Sequence, residues 1–370
     1  MKGMMQMGMP DISITFNKLA ESAKGRSARD TVCIITKDTT VSGLHTYIKD
    51  EQVEKDNYAD TTLSKILKEG FTKYGVYKII VYSISGDDAT LDTALAAIKK
   101  LNYQWLAFNF KLEESEQTKV KEFKNLRLKN HAPIQVIAVD YAANDKFISN
   151  FTGSGIKVNE TAMEDYQFSL KVAFIFATLD VTKSATFYVL DDVTAADEIE
   201  DEDKAVNDGK LFITFDGEKY KLSRAVNSLT KITTTEKASM KKVKVVSGMC
   251  LMHNDIFKTF RDEYCGQCEN EYNDRLRLIA QIGTYIKKLE GSVLKKGATN
   301  EVELDASAMR KYMESDQDDD GNAKVSIDTT DMTDDEVLQD VEGYCETKVF
   351  ATGVVRYADA MEDFDLKLYY

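Results

Sequence analysis

The sequence predicts a mixed α/β protein whose first third contains a mostly parallel sheet. Runs rich in β-branched and aromatic residues alternate with helical patterns from about residue 31 to 140. Strand–helix alternation of this kind implies right-handed βαβ units. Residues 145–235 form a less regular mixed region, and the remainder contains a long helical region followed by strands.

The first region reads as four strands separated by three helices. The strands are predicted at TVCIITKD (31–38), YKIIVYSI (77–84), YQWLAFNF (103–110) and PIQVIAVDY (133–141). The helices are predicted at LSKILKEGFTKYG (63–75), TLDTALAAIKKL (90–101) and SEQTKVKEFKNLRLK (115–129). The first of these helices is closed by Gly75, a residue that commonly ends helices.

The middle region is predicted to contain one helix and several short strands. DYQFSLKVAFIFATL (165–179) is expected to be helical, and TFYVLDDV (186–193) and KLFITFDGEKYKLS (210–223) to be extended. Between them, TAADEIEDEDKAVNDG (194–209) is expected to be an exposed acidic loop.

After KKVKVV (241–246) the pattern predicts a long helical region that ends near Leu289. Its apolar residues recur every three to four positions and mark a buried face, namely Leu278, Ile282, Tyr285, Ile286 and Leu289. A helix is predicted to end near Ser315, and a strand within VFATGVVRY (349–357), followed by the interruption ADAMED (358–363).

Both termini carry short strand-like segments with no partner adjacent in the sequence. ISITF (12–16) and FDLKLYY (364–370) alternate apolar and polar residues. The backbone groups of an unpaired strand need hydrogen-bond partners, which another chain often supplies. These ends predict assembly.

Composition limits the kind of protein this is. The chain has 370 residues, a net charge of −14, two prolines and five cysteines. The negative charge argues against nucleic acid as a direct partner. No window is long and apolar enough to span a membrane, the start lacks signal-peptide features, and the scattered cysteines fit a reducing compartment. We therefore expect a cytosolic product with no membrane partner.

The stretch CLMHNDIFKTFRDEYCGQC (250–268) has nearly the spacing of a zinc site, with Cys250, His253, Cys265 and Cys268 as ligands. The spacer lacks Gly and Pro and has a helical apolar face. A continuous helix separates Cys250 from Cys265 by about 22 Å, too far to share one ion. The Cys265–Cys268 pair follows a helix end, where the dipole opposes a reactive thiolate. Small, semi-buried residues at a helix–helix junction are the expected reading.

DQDDDGNAKVSI (316–327) is a calcium-loop candidate. Asp316, Asp318 and Asp320 fit the first ligand positions, but Ile327 occupies the twelfth, which needs a bidentate carboxylate. An acidic surface turn is favoured, with weak calcium binding left open.

No glycine-rich phosphate loop follows a strand, and the three histidines lie far apart in the sequence with no nucleophile motif. No cofactor and no catalytic residue is therefore predicted.

Three further runs resemble a known family: SRAVNSLTKIT (223–233), KKVKVVSGMCLMHNDIFKTFRDEY (241–264) and ETKVFATGVVRYADAMEDFDLKLYY (346–370). Together with MPDISITFNKLAESAKGRSARDTV at the start, they resemble contractile tail sheath proteins of bacteriophages and phage-tail-like (R-type) bacteriocins. The short sheaths of clostridial phage-like particles are the most similar. The resemblance covers about residues 9–30 and 209–370, while the α/β region matches in pattern only.

The resemblance implies a structural protein, not an enzyme, with the tail-sheath fold. Subunits would form stacked hexameric rings around an inner tube protein, with baseplate and tail terminator proteins as further partners. They would contract to drive the tube through a cell envelope, in a virion tail or phage-tail-like particle assembled in the bacterial host cytoplasm. A cytosolic α/β nucleotide-binding protein or enzyme remains the alternative.

The resemblance also implies roles for particular residues. Terminal arms would add strands to neighbouring subunits through Ile12, Ile14, Phe16, Phe364, Leu366 and Leu368. A helix of the C-terminal region would touch the tube, with Arg310, Lys311, Lys287 and Lys288 as candidates. Five segments are predicted: an N-terminal arm (1–25), an α/β domain (26–145), a mixed α/β middle region (146–235), a C-terminal sheath domain (236–345), and a C-terminal strand and arm (346–370). CGQC and the DQDDDGNAKV insertion depart from the family pattern.

Overall fold

The computed structural model describes residues 30–86, 90–317, 324–363 and 366. These residues divide into a large unit, with residues 30–255 and those from 359 onward, and a small unit, with residues 256–358. The finer division into five segments stays a prediction.

The large unit is built on a seven-stranded sheet. The strands of the large unit, in this sheet and in two smaller ones, are β1 (Thr31–Lys37), β2 (Gly43–Tyr47), β3 (Lys78–Ile84), β4 (Trp105–Phe108), β5 (Gln135–Val139), β6 (Ile148–Phe151), β7 (Lys157–Val158), β8 (Thr161–Ala162), β9 (Val193–Ala195), β10 (Lys210–Leu211), β11 (Ile213–Phe215) and β12 (Tyr220–Leu222). The sheet order is β10-β6-β5-β4-β1-β3-β2, and every pair is parallel except β2 with β3. The other short strands form the hairpin β11–β12 and the three-stranded sheet β8-β7-β9.

Helices cover both faces of this sheet. They are α1 (Asp50–Val53), α2 (Thr61–Thr72), α3 (Leu91–Ile98), α4 (Glu114–Lys129), α5 (Asp165–Thr178), α6 (Glu202–Asn207) and α7 (Val243–Thr259). Val32 and Ile34 of β1 pack with α2 and α5, while Cys33 and Ile35 pack with α3 and α4. Successive side chains of a strand point to opposite faces, so a strand covered on both sides reads as one continuous apolar run. The predicted α/β class is confirmed.

The middle region differs from its prediction in two places. Within the run 186–193, Val189 forms only an isolated antiparallel bridge with Lys221 of β12, and β9 begins at Val193. The left-handed backbone at Phe187 (φ 57°) interrupts an extended conformation there. The acidic stretch 194–209 is not all loop, because Asp201 accepts a hydrogen bond from the Lys204 amide and caps α6.

The long helical region is also interrupted. A π-helical turn (Phe260–Tyr264) follows α7, and the next helix, α8 (Tyr272–Leu289), begins after a break. Gly266 adopts a left-handed φ of 72° and ends the first helix, which is a signal that the sequence contained. Of the predicted buried face, Leu278, Tyr285 and Ile286 are buried and the other two residues are partly buried.

The small unit contains α8 and a separate two-stranded sheet. The strands β13 (Glu301–Leu304) and β14 (Ala351–Val354) are antiparallel, and α8 packs against β13. Two more helices, α9 (Ala306–Glu314) and α10 (Asp334–Gln339), share a core that contains Met309, Tyr312, Met313, Val337 and Cys345. The predicted helix before Ser315 and the strand within 349–357 are therefore present.

A buried ion cluster lies beside α5. The ammonium of Lys171 is 1% exposed and lies 2.6 Å from Asp192 Oδ2 and 2.8 Å from Glu69 Oε2. Lys73 adds a second cation 2.8 Å from Asp192 Oδ2. Burial raises the pKa of Asp192, but the hydrogen bonds from Lys171 and Lys73 outweigh it and the net pKa is lowered.

Acid should therefore weaken the large unit through Asp192. Its folded pKa lies below the ordinary value of 3.8, so the stabilisation is present above that value. It is lost as the pH falls through the folded pKa. Urea unfolding between pH 7 and pH 2 should show this loss, and Asp192→Asn should flatten the pH dependence. An unchanged slope in that variant would contradict the assignment.

Candidate functional site: the anchor of the C-terminal segment

Three runs that are distant in the sequence meet in the large unit: 223–228, 240–243 and 359–363. Arg224, Lys242, Asp359, Glu362 and Asp363 supply the charges, and we call this cluster the arm anchor. Its acidic members belong to the stretch ADAMED, which the sequence pattern marked only as an interruption between two strands.

The backbone holds the two cations of the arm anchor side by side. Val226 and Lys242 form an antiparallel bridge, and the Val243 amide donates to the Ala225 carbonyl at 3.1 Å. The Asn227 side chain adds a hydrogen bond from Nδ2 to the Met240 carbonyl at 2.8 Å. Because the two segments are paired like strands, their side chains project next to each other.

Glu362 is the centre of the arm anchor. Its side chain is only 3% exposed. Oε1 accepts hydrogen bonds from Thr186 Oγ1 at 2.8 Å and from Ser184 Oγ at 3.1 Å. Oε2 lies 2.9 Å from Lys242 Nζ and 3.3 Å from Arg224 Nε. A buried carboxylate is tolerated only when it is compensated, and here hydrogen bonds at Oε1 and two cations beside Oε2 compensate it.

The outer carboxylates complete the arm anchor. Asp359 Oδ2 lies 2.7 Å from Lys242 Nζ, and Asp363 pairs with Arg224 Nη2. Burial lowers the pKa of Lys242, but hydrogen bonds with Asp359 and Glu362 outweigh it, so the net pKa is raised. Lys242 therefore stays charged at neutral pH. The arrangement pins residues 359–363 to the large unit while Met361 between them stays fully exposed.

The predicted arm residues are mostly outside the described part of the chain. Ile12, Ile14, Phe16, Phe364 and Leu368 fall there, and Leu366, which is described, is exposed. Their pairing with neighbours stays a prediction.

The predicted tube contacts lie in the small unit. Arg310 donates to the carbonyls of Thr329 and Met332 at 2.8 and 2.7 Å and also pairs with Asp334, so it has a structural task. Lys311, Lys287 and Lys288 are exposed. The tube contact stays a prediction for all four.

The cysteines and histidines occupy separate environments. Cys250 is buried in α7, whereas Cys265 and Cys268 are exposed, so their predicted semi-buried packing is wrong, because a turn carries them away from the helix. His131 and His253 are far apart in the sequence, yet their rings stack with centroids 5.6 Å apart. Burial, and then the charge of His131, lower the pKa of His253. Within the described residues, no three His, Cys, Asp or Glu side chains are placed to hold a metal ion.

The calcium-loop candidate is only partly described. Asp316 is described, but Asp318 and Asp320 lie outside the described residues. Ile327, at the twelfth position, packs against the core of the small unit. The ammonium of Lys324 donates to the carbonyls of Tyr312 and Ser315 at 2.7 and 2.9 Å, which places a cation at the end of α9.

Doubly wound sheets bind ligands where the strand order reverses, here beyond the carboxyl ends of β1 and β4. A carboxylate of the protein itself occupies the helix end at that crevice. Asp60 Oδ1 caps α2 by accepting from the amides of Thr62 and Leu63, at the position where an anion would bind. Asp60 Oδ2 accepts from Asn109 Nδ2 and Gln167 Nε2, both at 3.1 Å.

No helix among the described residues is long and apolar enough to cross a bilayer.

Comparisons with known proteins agree with the resemblance. No family model matches the chain. The chain is 24% identical to the tail sheath protein of Clostridium phage phiCD119 over 372 residues, which covers 98% of this chain and 99% of that protein. In structure it is similar to the sheath tail protein Lin1278 from Listeria innocua, with a TM-score of 0.65, 15% identity, and 79% and 92% of the two chains covered.

It is also similar to the helical sheath of the anti-feeding prophage in its contracted state. The TM-score is 0.64 at 15% identity, and 92% of each chain is covered. These likenesses show the fold, and the resemblance predicted from the sequence is confirmed.

Proposed function

We propose that this chain, which has the fold of tail sheath proteins, is a structural subunit of a contractile tail sheath. The arm anchor is the observation that carries the proposal, because it fixes the root of a C-terminal segment whose continuation would reach a neighbouring copy. Full-length similarity to a phage tail sheath protein supports the same function. Copies of the chain, an inner tube protein, and baseplate and terminator proteins are the proposed partners, in stacked hexameric rings. The particle would be a virion tail or phage-tail-like particle assembled in the host cytoplasm.

The sheet β13–β14 is the proposed acceptor for neighbouring arms. Two strands alone leave one row of backbone donors and acceptors open on each side. All four residues of β14 are exposed, and isolated two-stranded sheets are marginal in water. An arm from another copy that adds a strand would satisfy those groups, and its alternating apolar residues would set the register.

A subunit of this kind suits movement by rigid bodies. Both faces of the seven-stranded sheet are packed, and packed cores shift between discrete arrangements instead of deforming. Contraction would change the packing between subunits while strand pairing keeps them connected. The helix end at the crevice of β1 and β4 is already capped by Asp60, which favours this function over the alternative of a nucleotide-binding protein or enzyme. A nucleotide-dependent thermal shift would support that alternative.

Arg310, Lys311, Lys287 and Lys288 remain the proposed tube contacts. All four lie on helices of the small unit, and Arg310 also bonds to α10 and its preceding loop. Charged contacts of this type would weaken with salt.

Electron microscopy of the purified chain is the direct test. We expect long hollow tubes with a regular ring spacing, and we expect deletion of residues 364–370 to abolish them. A full-length chain that stays monomeric at high concentration would overturn the proposed function.

Gly353→Ala should damage the acceptor sheet selectively. A Cβ at Gly353 would lie 2.7 Å from the Glu301 carbonyl oxygen, so the two strands would have to move apart. We expect tube formation to fall at least tenfold while the far-ultraviolet circular dichroism spectrum is kept. Gly283→Ala in α8 is the matched control, since its Cβ would meet only Val302 Cγ1 at 3.8 Å. Equal assembly by both variants would count against the role of β13–β14.

A further inference from the structure

Cys265 lies in the turn that ends the π-helical segment of the small unit, and Cys268 directly follows that turn. The proposed function gives these cysteines no task. The Gln267 amide donates to the Tyr264 carbonyl at 2.9 Å. Cys265 has φ −61° and ψ 112°, and Gly266 has φ 72°. These angles define a type II β-turn over residues 264–267, in which glycine supplies the left-handed position.

The turn brings the two cysteines close together. The Cys268 amide nitrogen lies 3.2 Å from the Tyr264 carbonyl oxygen. Cys265 directly follows that carbonyl, so standard bond lengths limit its Cα to about 7.5 Å from the Cα of Cys268. Disulfides in proteins span Cα distances of about 4.4–6.8 Å. Closure therefore needs little or no movement of the backbone.

Both thiols are also accessible. They are exposed free cysteines, and they line one cavity of about 400 Å³ together with Phe260, Tyr264 and Leu278. Cys33, Cys250 and Cys345 are buried. A small oxidant in the surrounding solution can therefore reach this pair and not the buried cysteines.

We propose that Cys265 and Cys268 form an oxidisable dithiol that closes to an intramolecular disulfide in the presence of a disulfide oxidant such as oxidised glutathione. The thiolate of one cysteine attacks the oxidant, forms a mixed disulfide and releases one reduced glutathione. The thiolate of the other cysteine then attacks the mixed disulfide and releases the second. The chain loses two protons and two electrons, and the oxidant gains both.

The oxidation itself does not depend on the proposed function, but the moment at which it would occur rests on that function. A subunit made in a reducing cytoplasm would keep the dithiol, and a particle released from the cell would lose it. The disulfide would then restrain the junction between the π-helical turn and α8. The thiolate is the attacking species in thiol–disulfide exchange, so we expect faster closure near pH 9 than at neutral pH.

The test treats the full-length chain with oxidised glutathione, alkylates the remaining thiols and maps the peptides by mass spectrometry. We expect a loss of about 2 Da that links Cys265 to Cys268, and an alkylation of both that falls at least tenfold. Cys265→Ser should stop at a glutathione adduct on Cys268, and Cys250→Ser should close normally. Two stable glutathione adducts on the unaltered chain, or unchanged alkylation, would overturn the proposal. The readout needs no tubes, so it is independent of the proposed assembly.

Discussion

Replacing Glu362 with alanine is expected to weaken sheath-like assembly at least tenfold while leaving the large unit folded. The change removes the buried carboxylate that joins Thr186, Lys242 and Arg224. The two cations keep only the more exposed carboxylates of Asp359 and Asp363, and exposed ion pairs contribute little. The C-terminal segment should then leave its own subunit, and the entropy of ordering it again would oppose strand exchange.

We expect the protein concentration needed for tube formation to rise at least tenfold, which corresponds to about 1.4 kcal/mol. Sedimentation and electron microscopy measure this concentration. Hydrogen exchange over residues 355–363 reports directly whether the C-terminal segment leaves its own subunit. Asp363→Asn is the matched control, since that side chain is 82% exposed and should be nearly neutral. Glu362→Gln should fall between the two. Normal tubes from Glu362→Ala would remove the arm anchor from the mechanism.

Lys171→Met should give the largest loss of stability. The methionine keeps the apolar stem of Lys171 but removes the ammonium between Asp192 and Glu69. Removing one member of a buried ion pair leaves an uncompensated charge, and we expect the free energy of unfolding to fall by about 3 kcal/mol. Urea unfolding under conditions that prevent assembly measures it.

Lys73→Met tests whether the loss in Lys171→Met comes from the burial of that charge and not from the loss of a cation alone. Lys73 lies 2.8 Å from the same oxygen of Asp192, but its side chain is 38% exposed. We expect a loss below about 1 kcal/mol, because solvent screens an exposed pair. Equal losses from the two variants would show that burial of Lys171 is not the cause.

The elements with strong local signals could be predicted from the sequence. β1 and β3 are apolar runs of β-branched residues, and Asp60 and Thr90 cap the helices that follow. Elements decided by distant contacts could not. Phe187 looks extended in the sequence, yet its backbone is left-handed, and its amide donates to the Leu222 carbonyl on β12.

The arm anchor shows the same limit at the candidate site. ADAMED contains three carboxylates, and the runs that begin at Ser223 and Lys241 contain the matching cations, so each half was visible. Their pairing was not, because 139 residues separate Arg224 from Asp363, and backbone pairing between residues 225–227 and 241–243 sets the two cations together. Oppositely charged residues in two such segments could have suggested that the segments pair in the fold.

The carboxylate of Asp60 caps α2 beside the crevice at β1 and β4 and also accepts bonds from two amide side chains. A phosphate group at that helix end would have to displace Asp60. Under the proposed function, the work of contraction would be stored while the copies are stacked, and each particle would fire once.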